Sequence, residues 1–160
     1  MKTLVVYYSR TGCTKEVGDA IAKILEADIE VLKDTKNRNG IIGWLRAGRD
    51  ASMKKPAEIE KTKKDPSKYD IVIIGTPVWA GNMTPAVRTY LTQNGDKLKE
   101  VAFFCTMGGN DPRKVFESMS ELCDENPAEV LMVREKELKN EEHAKKIIMF
   151  SEGIKNTKKT

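Results

Sequence analysis

Short apolar runs of strand length alternate along this chain with longer segments in which apolar residues recur at helical spacing. The runs cover residues 3–8, 28–32, 69–75, 101–106 and 129–134, and the helical segments cover residues 14–26, 85–95, 112–123 and 141–155. Strands that are apolar throughout are buried on both faces, and alternation with helices is typical of parallel pairs joined by crossovers. The pattern therefore predicts an α/β fold in three layers, with a doubly wound, five-stranded parallel sheet covered by helices on both faces.

One connection is longer than the crossovers usual in such folds. The length of 160 residues predicts a single domain over 1–160, and an extended insertion around 34–68 separates its second and third strands. Within the insertion, residues 41–53 carry apolar side chains at roughly helical spacing and predict an amphipathic helix. Two interpretations stay open for this helix: a crossover helix that covers the sheet, or a lid or partner surface.

Composition argues against several classes of protein. The 28 basic and 24 acidic residues leave a net charge of only +4, and no stripe of Lys and Arg interleaved with aromatic residues indicates a nucleic-acid surface. The start of the chain runs directly into a strand, unlike a secretory signal, and no apolar run reaches membrane-spanning length. Cys13, Cys105 and Cys123 have neither CxxC spacing nor histidine partners, so they indicate neither a disulfide framework nor a zinc site. We expect a cytoplasmic protein without a metal site.

The segment between the first strand and the first helix, residues 8–15, is rich in hydroxyl groups. Ser9, Thr11 and Thr14 can donate to phosphate oxygens, Gly12 permits close approach of the backbone, and the helix offers N–H groups at the positive end of its dipole. The segment lacks the Gly-Lys-Ser/Thr ending of a Walker A loop and the GxGxxG pattern of a dinucleotide turn. It is either a phosphate-binding loop built from hydroxyl groups or a turn whose Ser and Thr only cap the helix.

Two more unusual loops follow the third and fourth strands, at the sheet edge where doubly wound folds bind ligands. The loop at residues 76–85 places Trp79 among Pro and Gly residues, where its indole can stack on a planar ligand or pack in the core. The loop at residues 106–111 contains Gly108 and Gly109, which let backbone N–H groups approach a flat ligand edge. Together the three loops describe a site for a mononucleotide with a large planar ring.

These loops and the order of the elements resemble the flavodoxin family of FMN-binding flavoproteins, and the likeness in layout covers essentially the whole chain. It implies the strand order 2-1-3-4-5 and FMN as the cofactor. The residues that it assigns to the phosphate are Ser9, Thr11, Gly12 and Thr14, with mainly backbone contributions from Arg10 and Cys13. In the second loop, which starts at Thr76, it assigns to the isoalloxazine ring Pro77, Val78, Trp79, Ala80 and Gly81. In the third loop it assigns to the pyrimidine side of the ring Thr106, Met107, Gly108 and Gly109.

The resemblance implies a flavoprotein that transfers electrons between redox partner proteins. Two departures favour an alternative, an FMN-dependent oxidoreductase that uses NAD(P)H and a small acceptor, either a quinone or free flavin. Many electron-carrying flavodoxins are acidic and have a second aromatic residue in the third loop, whereas this chain is net basic and has Met107, Gly108 and Gly109 there. One face of the flavin would then be open. Both activities need the same loops, and the motifs indicate neither a catalytic side chain nor an oligomeric state.

Two further residues invite a functional interpretation. Cys13, at a helix start next to basic residues, is either a redox-sensitive thiol or a small residue in a loop whose backbone does the binding. His143 is the only histidine, and its charged neighbours predict that it lies on the solvated face of the last helix and is not catalytic. Cys105 is predicted in the core and Cys123 at a helix end.

Overall fold

In the computed structural model, a parallel sheet lies between two layers of helices. The structure describes residues 1–36, 40–54, 56–109 and 111–157; residues 37–39 and 55 of the predicted insertion and Asn110 of the third predicted loop lie outside them. The strands are β1 (Thr3–Tyr7), β2 (Asp28–Val31), β3 (Ile71–Trp79), β4 (Asn82–Met83), β5 (Val101–Met107) and β6 (Val130–Arg134). The α-helices are α1 (Cys13–Leu25), α2 (Gly40–Ser52), α3 (Pro85–Asn94), α4 (Arg113–Cys123) and α5 (His143–Asn156). None of the helices in these residues is long and apolar enough to cross a bilayer.

The order of the strands confirms the predicted fold. Five strands pair in parallel in the order β2-β1-β3-β5-β6. Numbered among themselves along the chain, they have the order 2-1-3-4-5, and helices lie on both faces of the sheet. The described residues add one strand to the prediction, β4, which pairs with the end of β3.

The segment predicted as a loop after the third strand is a hairpin. β3 continues past Gly75 to Trp79 and turns back through Ala80 and Gly81 into β4. The antiparallel pairs are Val78 with Met83 and Trp79 with Asn82. Both turn residues have positive φ, 48° and 73°, as in the tight two-residue turns that join twisted strands. The loop prediction was wrong because Pro77 and Gly81 are usually signals of irregular structure.

Alternate residues of β1 face the two helical layers. Leu4 and Val6 pack in a cluster with α3 and α4, whereas Val5 and Tyr7 pack in a cluster with α1 and α5. All four side chains are at most 1% exposed. The middle of the sheet is therefore filled on both faces, as the continuous apolar runs predict, and a ligand site has to lie at the strand ends.

The insertion contains the predicted helix, α2, which contacts β3 and β4. Its small side chains face the protein, since Ala47 and Ala51 are at most 2% exposed. Larger apolar side chains point outward, and Trp44 and Leu45 are 59% and 58% exposed. The helix therefore covers part of the sheet, as one interpretation predicts, while it keeps large apolar side chains at its surface.

After α2 the chain returns along the outer edge of β2. The N–H of Glu60 donates to the Lys33 carbonyl at 2.8 Å. The N–H groups of Lys63 and Lys64 donate to the Glu30 carboxylate at 2.9 and 2.8 Å. These bonds hold the returning chain beside β2, an edge strand of the sheet.

The prediction that His143 lies on the solvated face of the last helix was wrong. The residue begins α5, and its side chain is only 13% exposed. Nδ1 lies 3.1 Å from the carbonyl oxygen of Glu137, and Nε2 lies 3.6 Å from the Glu16 carboxylate on α1. A short 3₁₀ helix at Glu135–Lys139 brings this carbonyl against the start of α5. The charged residues around His143 in the sequence give no sign of that contact.

Candidate functional site

The carboxyl ends of β1, β3 and β5 lie side by side at one edge of the sheet. Tyr7 pairs with Gly75, and Pro77 pairs with Thr106, so the segments that follow the three strands start next to one another. The hydroxyls of Thr14 and Thr106 form a hydrogen bond of 2.7 Å between the first and third segments, and both residues are 1% exposed. The structure thus brings together the three segments that stand out in the sequence.

Ser9 organises the first segment. Its Oγ accepts hydrogen bonds from the backbone N–H groups of Gly12 and Lys15, each at 3.2 Å. Gly12 has a φ of 102°, a left-handed conformation that favours glycine, and an added Cβ would meet no atom within 4 Å. α1 begins at Cys13, so both N–H groups lie at the positive end of its dipole. Two donors that converge on one oxygen form the arrangement that an oxyanion needs.

Tyr7 holds α1 against β1 next to this segment. Its hydroxyl donates to Asp19 at 2.7 Å, and Lys15 Nζ forms an ion pair with the other oxygen of the same carboxylate. Burial raises the pKa of Tyr7, and the hydrogen bond to Asp19 raises it further. Burial alone would raise the pKa of Asp19, but the hydrogen bonds from Lys15 and Tyr7 lower it below its ordinary value. The Lys15 ammonium is therefore directed at α1 and not at the loop.

Trp79 joins the first and second segments. The Tyr8 ring meets its indole edge to face, with the ring centroids 5.5 Å apart and the planes at 88°. The Arg10 guanidinium carbon lies 5.7 Å from the centroid of the indole, within cation–π distance. The resemblance gave Arg10 mainly a backbone role, whereas the structure also gives its side chain a contact. Trp79 is half-buried, so part of the indole packs against these neighbours and part stays accessible.

Thr76 supports the base of the hairpin. The residue is fully buried, and its hydroxyl donates to the Pro77 carbonyl at 2.8 Å and accepts the Thr84 N–H at 3.1 Å. Thr84 is in turn the N-cap of α3. At the tip, the Asn82 amide donates to the Ala80 carbonyl at 3.1 Å. These bonds fix the hairpin that carries Trp79, and they use the hydroxyl of Thr76 inside the protein.

The third segment leaves the sheet as exposed backbone. Met107 ends β5 and is 8% exposed, whereas Gly108 and Gly109 are exposed. An added Cβ at Gly108 would meet no atom within 4 Å. At the end of the segment, the hydrogen bonds from Arg113 lower the pKa of Asp111 to about 2 and fix the start of α4. The backbone of Gly108 is therefore open to the approach of a flat ligand.

A cavity of about 400 Å³ adjoins the hairpin. Its lining residues are Trp44, Ala47, Gly48, Val78, Trp79 and Ala80. The resemblance assigns the last three to a ring site, whereas Trp44, Ala47 and Gly48 of α2 were not predicted from the sequence. Those three lie about 30 residues earlier in the chain and carry no turn signal. The apolar spacing in that region predicts a helix and gives no sign of a ligand site. A second cavity, of about 530 Å³, lies beside Ser9 and Arg10.

The cysteines occupy three different environments. Cys105 is fully buried, and burial raises the pKa of its thiol to about 12, which confirms the prediction of a core residue. Cys123 ends α4 and is 6% exposed. Cys13 is half-buried at the start of α1, with its sulfur 3.7 Å from the Thr11 hydroxyl.

Comparison with known proteins places the chain in a family. A family model described as flavodoxin matches residues 2–150. The fold is similar to that of a flavoprotein from Lactobacillus acidophilus NCFM solved in complex with FMN, with a TM-score of 0.71 and 27% identity over 86% of this chain and 96% of that one. This chain belongs to the flavodoxin family.

Two more distant structures share the fold. A protein of Bacteroides uniformis ATCC 8492 assigned as a flavoprotein has a TM-score of 0.74 at 20% identity, over 84% of this chain and 90% of that one. Oxidised flavodoxin 1 from Bacillus cereus has a TM-score of 0.57 at 19% identity, over 97% and 98% of the two chains. At these identities the likeness concerns the fold alone.

The hydrogen bond between Thr14 and Thr106 gives a test of how the site is held together. Changing either residue to Val leaves the other hydroxyl buried without its partner, so each of T14V and T106V should lower the free energy of unfolding by about 1–3 kcal/mol. The double variant replaces both hydroxyls by methyl groups of the same shape and should lose clearly less than the sum. Urea unfolding of the four proteins measures this. Additive losses would contradict the coupling of the two segments.

Proposed function

We propose that this member of the flavodoxin family binds FMN at the described sheet edge and transfers electrons between redox partners. The observation that carries the proposal is the convergence of the Gly12 and Lys15 N–H groups on Ser9 Oγ, at the same edge as Trp79 and the exposed backbone of Gly108. The FMN complex of the similar Lactobacillus acidophilus flavoprotein supports it. A cytoplasmic location and the use of redox partner proteins stay predictions from the sequence.

The first segment fits a phosphate dianion. A phosphate oxygen would take over the two N–H donors from Ser9 with stronger hydrogen bonds, because charge strengthens such bonds and the helix dipole favours an anion. Ser9 and Thr11 then supply hydroxyl donors, and Arg10, Gly12 and Cys13 supply backbone. Since the Thr14 hydroxyl is bonded to Thr106, we assign to Thr14 a backbone N–H and a supporting side chain. The first segment thus anchors the cofactor.

The second and third segments fit a flat ring with a polar edge. The proposed ring contacts of the hairpin are Pro77, Val78, Trp79, Ala80 and Gly81, supported from below by Thr76. The proposed contacts at the pyrimidine edge are Met107, Gly108 and Gly109, supported by Thr106. When bound, FMN supplies one- and two-electron redox chemistry. The chain's own residues bind and orient the ring, and the indole and the strand ends exclude water from part of it.

A second candidate function is that of an FMN-dependent oxidoreductase using NAD(P)H and a quinone or free flavin. The observation that favours it is the exposure of Gly108 and Gly109 in the third segment. Residues 106–111 include no aromatic residue that could cover a ring there. A flavin ring that is uncovered at such a place is accessible to a nicotinamide or a quinone. The net charge of +4 also differs from that of many acidic electron carriers.

Replacement of the hydroxyl donors tests the assignment of the phosphate. We expect S9A and T11A each to weaken FMN binding about tenfold or more, because a hydrogen bond to a charged group contributes about 1.5–3 kcal/mol. Riboflavin lacks the phosphate, so its affinity should not change. Titration followed by quenching of flavin fluorescence measures both ligands. T92A removes a comparable exposed hydroxyl from α3 and should bind FMN like the wild type. Equal losses for FMN and riboflavin would contradict the division of roles.

Rapid mixing with nicotinamides separates the two candidate activities. If the protein carries electrons between protein partners, anaerobic mixing of the FMN-loaded protein with NADH or NADPH should leave the absorbance of the oxidised flavin unchanged on the stopped-flow timescale. Rapid bleaching by either nicotinamide would instead establish the oxidoreductase. Free FMN at the same concentration is the control, since it reports any reaction outside the protein.

A further inference from the structure

The cavity beside the hairpin has a wall that lies outside the three segments of the proposed FMN site. Val78, Trp79 and Ala80 form one side of this space, and α2 forms the other. None of the six lining residues carries a charge, and about 400 Å³ is within the range of about 300–1,000 Å³ found for small-molecule sites. The cavity therefore suits an uncharged, flat ligand and not a phosphate.

The three lining residues of α2 share one face of the helix. Trp44, Ala47 and Gly48 are spaced i, i+3 and i+4, which places them together. Ala47 packs inward and is 2% exposed, whereas the large indole of Trp44 is 59% exposed at the cavity. Two indoles, Trp44 and Trp79, therefore border the same space from different elements.

Gly48 is not required to be a glycine by its backbone conformation or by close contacts with the residues that the structure describes. It lies inside α2 with ordinary helical backbone, where glycine is less favourable than alanine. At Gly18 the Tyr7 ring would lie 2.5 Å from an added Cβ, and at Gly75 the Phe104 ring fills the corresponding space. At Gly48, apart from the helix's own backbone and the two chain neighbours, no heavy atom of the described residues lies within 4 Å of an added Cβ. Gly48 also lines the cavity, so a larger side chain at this position is expected to enter that space.

We propose that α2 is the second wall of the isoalloxazine site, with Trp44 as a second aromatic contact and Gly48 as the opening that admits the ring. This inference rests on the proposed binding of FMN. Three points support it. The resemblance assigns Val78, Trp79 and Ala80 to the ring, and α2 forms the other side of the cavity that these residues line. The third segment has no aromatic residue of its own. The flavin ring is planar and apolar along its benzenoid end, which matches a lining without charges.

Filling the cavity tests this assignment. G48L exchanges a glycine for a strong helix former at a place with no neighbouring atom, so the apoprotein should unfold at the same or a higher temperature. The new side chain would overlap the ring, and we expect FMN affinity to fall about tenfold or more, by the usual cost of overfilling a site. Riboflavin should lose the same factor, because the ring and not the phosphate is excluded. Fluorescence quenching and thermal unfolding give the two readouts.

Two further variants keep the test decisive. S52L places the same side chain at an exposed position of α2 that does not line the cavity, and it should bind FMN like the wild type. W44A should weaken FMN and riboflavin about three- to tenfold, by the usual contribution of an aromatic pair, whereas W44F should keep most of the affinity. If the wild type binds FMN and both G48L and W44A bind it equally well, the assignment of α2 is overturned and the proposed function stands. If the wild type does not bind FMN, both are overturned.

Discussion

The parallel pairing of β1 and β5 with the central strand β3 is the constraint on which the rest of this structure depends. Because the three strands run in one direction, their carboxyl ends meet at one edge, and the segments that leave them share one surface. The strands are buried on both faces by helices, so the middle of the sheet has no room for a ligand. The direction of the strands thus determines where a site can lie, and the side chains at that edge determine what it binds.

Contacts between the segments then give that edge a defined shape. Thr14 and Thr106 join the first segment to the third, and Arg10 and Tyr8 join the first to Trp79. Tyr7 holds the start of α1 through Asp19. As a result, the donors at Gly12 and Lys15 and the indole of Trp79 are held by protein contacts, and little ordering of these groups is needed when a ligand binds.

The sequence predicts the regular parts of this architecture and misses contacts that depend on tertiary structure. Apolar runs and helical spacing are sufficient to predict the five parallel strands and the three segments at one edge of the sheet. The order of the strands follows from the resemblance to the flavodoxin family. The runs and the spacing do not reveal β4, because Pro77 and Gly81 are common in loops. This strand forms by pairing with the end of β3, a contact that the local sequence does not show. Nor do the runs and the spacing show that the hydroxyls of Thr14 and Thr76 are used internally. The position of α2 beside the cavity could not be predicted, since nothing in the local sequence marks Gly48 as a cavity-lining residue.

Amide chemical shifts test most directly the claim that the three segments act as one FMN site. On titration of the ¹⁵N-labelled apoprotein with FMN, the largest shifts should appear together in the first segment at Gly12 and Lys15, in the hairpin at Ala80, and in the third segment at Gly108. Inorganic phosphate alone should shift only the first segment. Shifts by FMN that are confined to one segment, or that lie away from this edge of the sheet, would contradict the account.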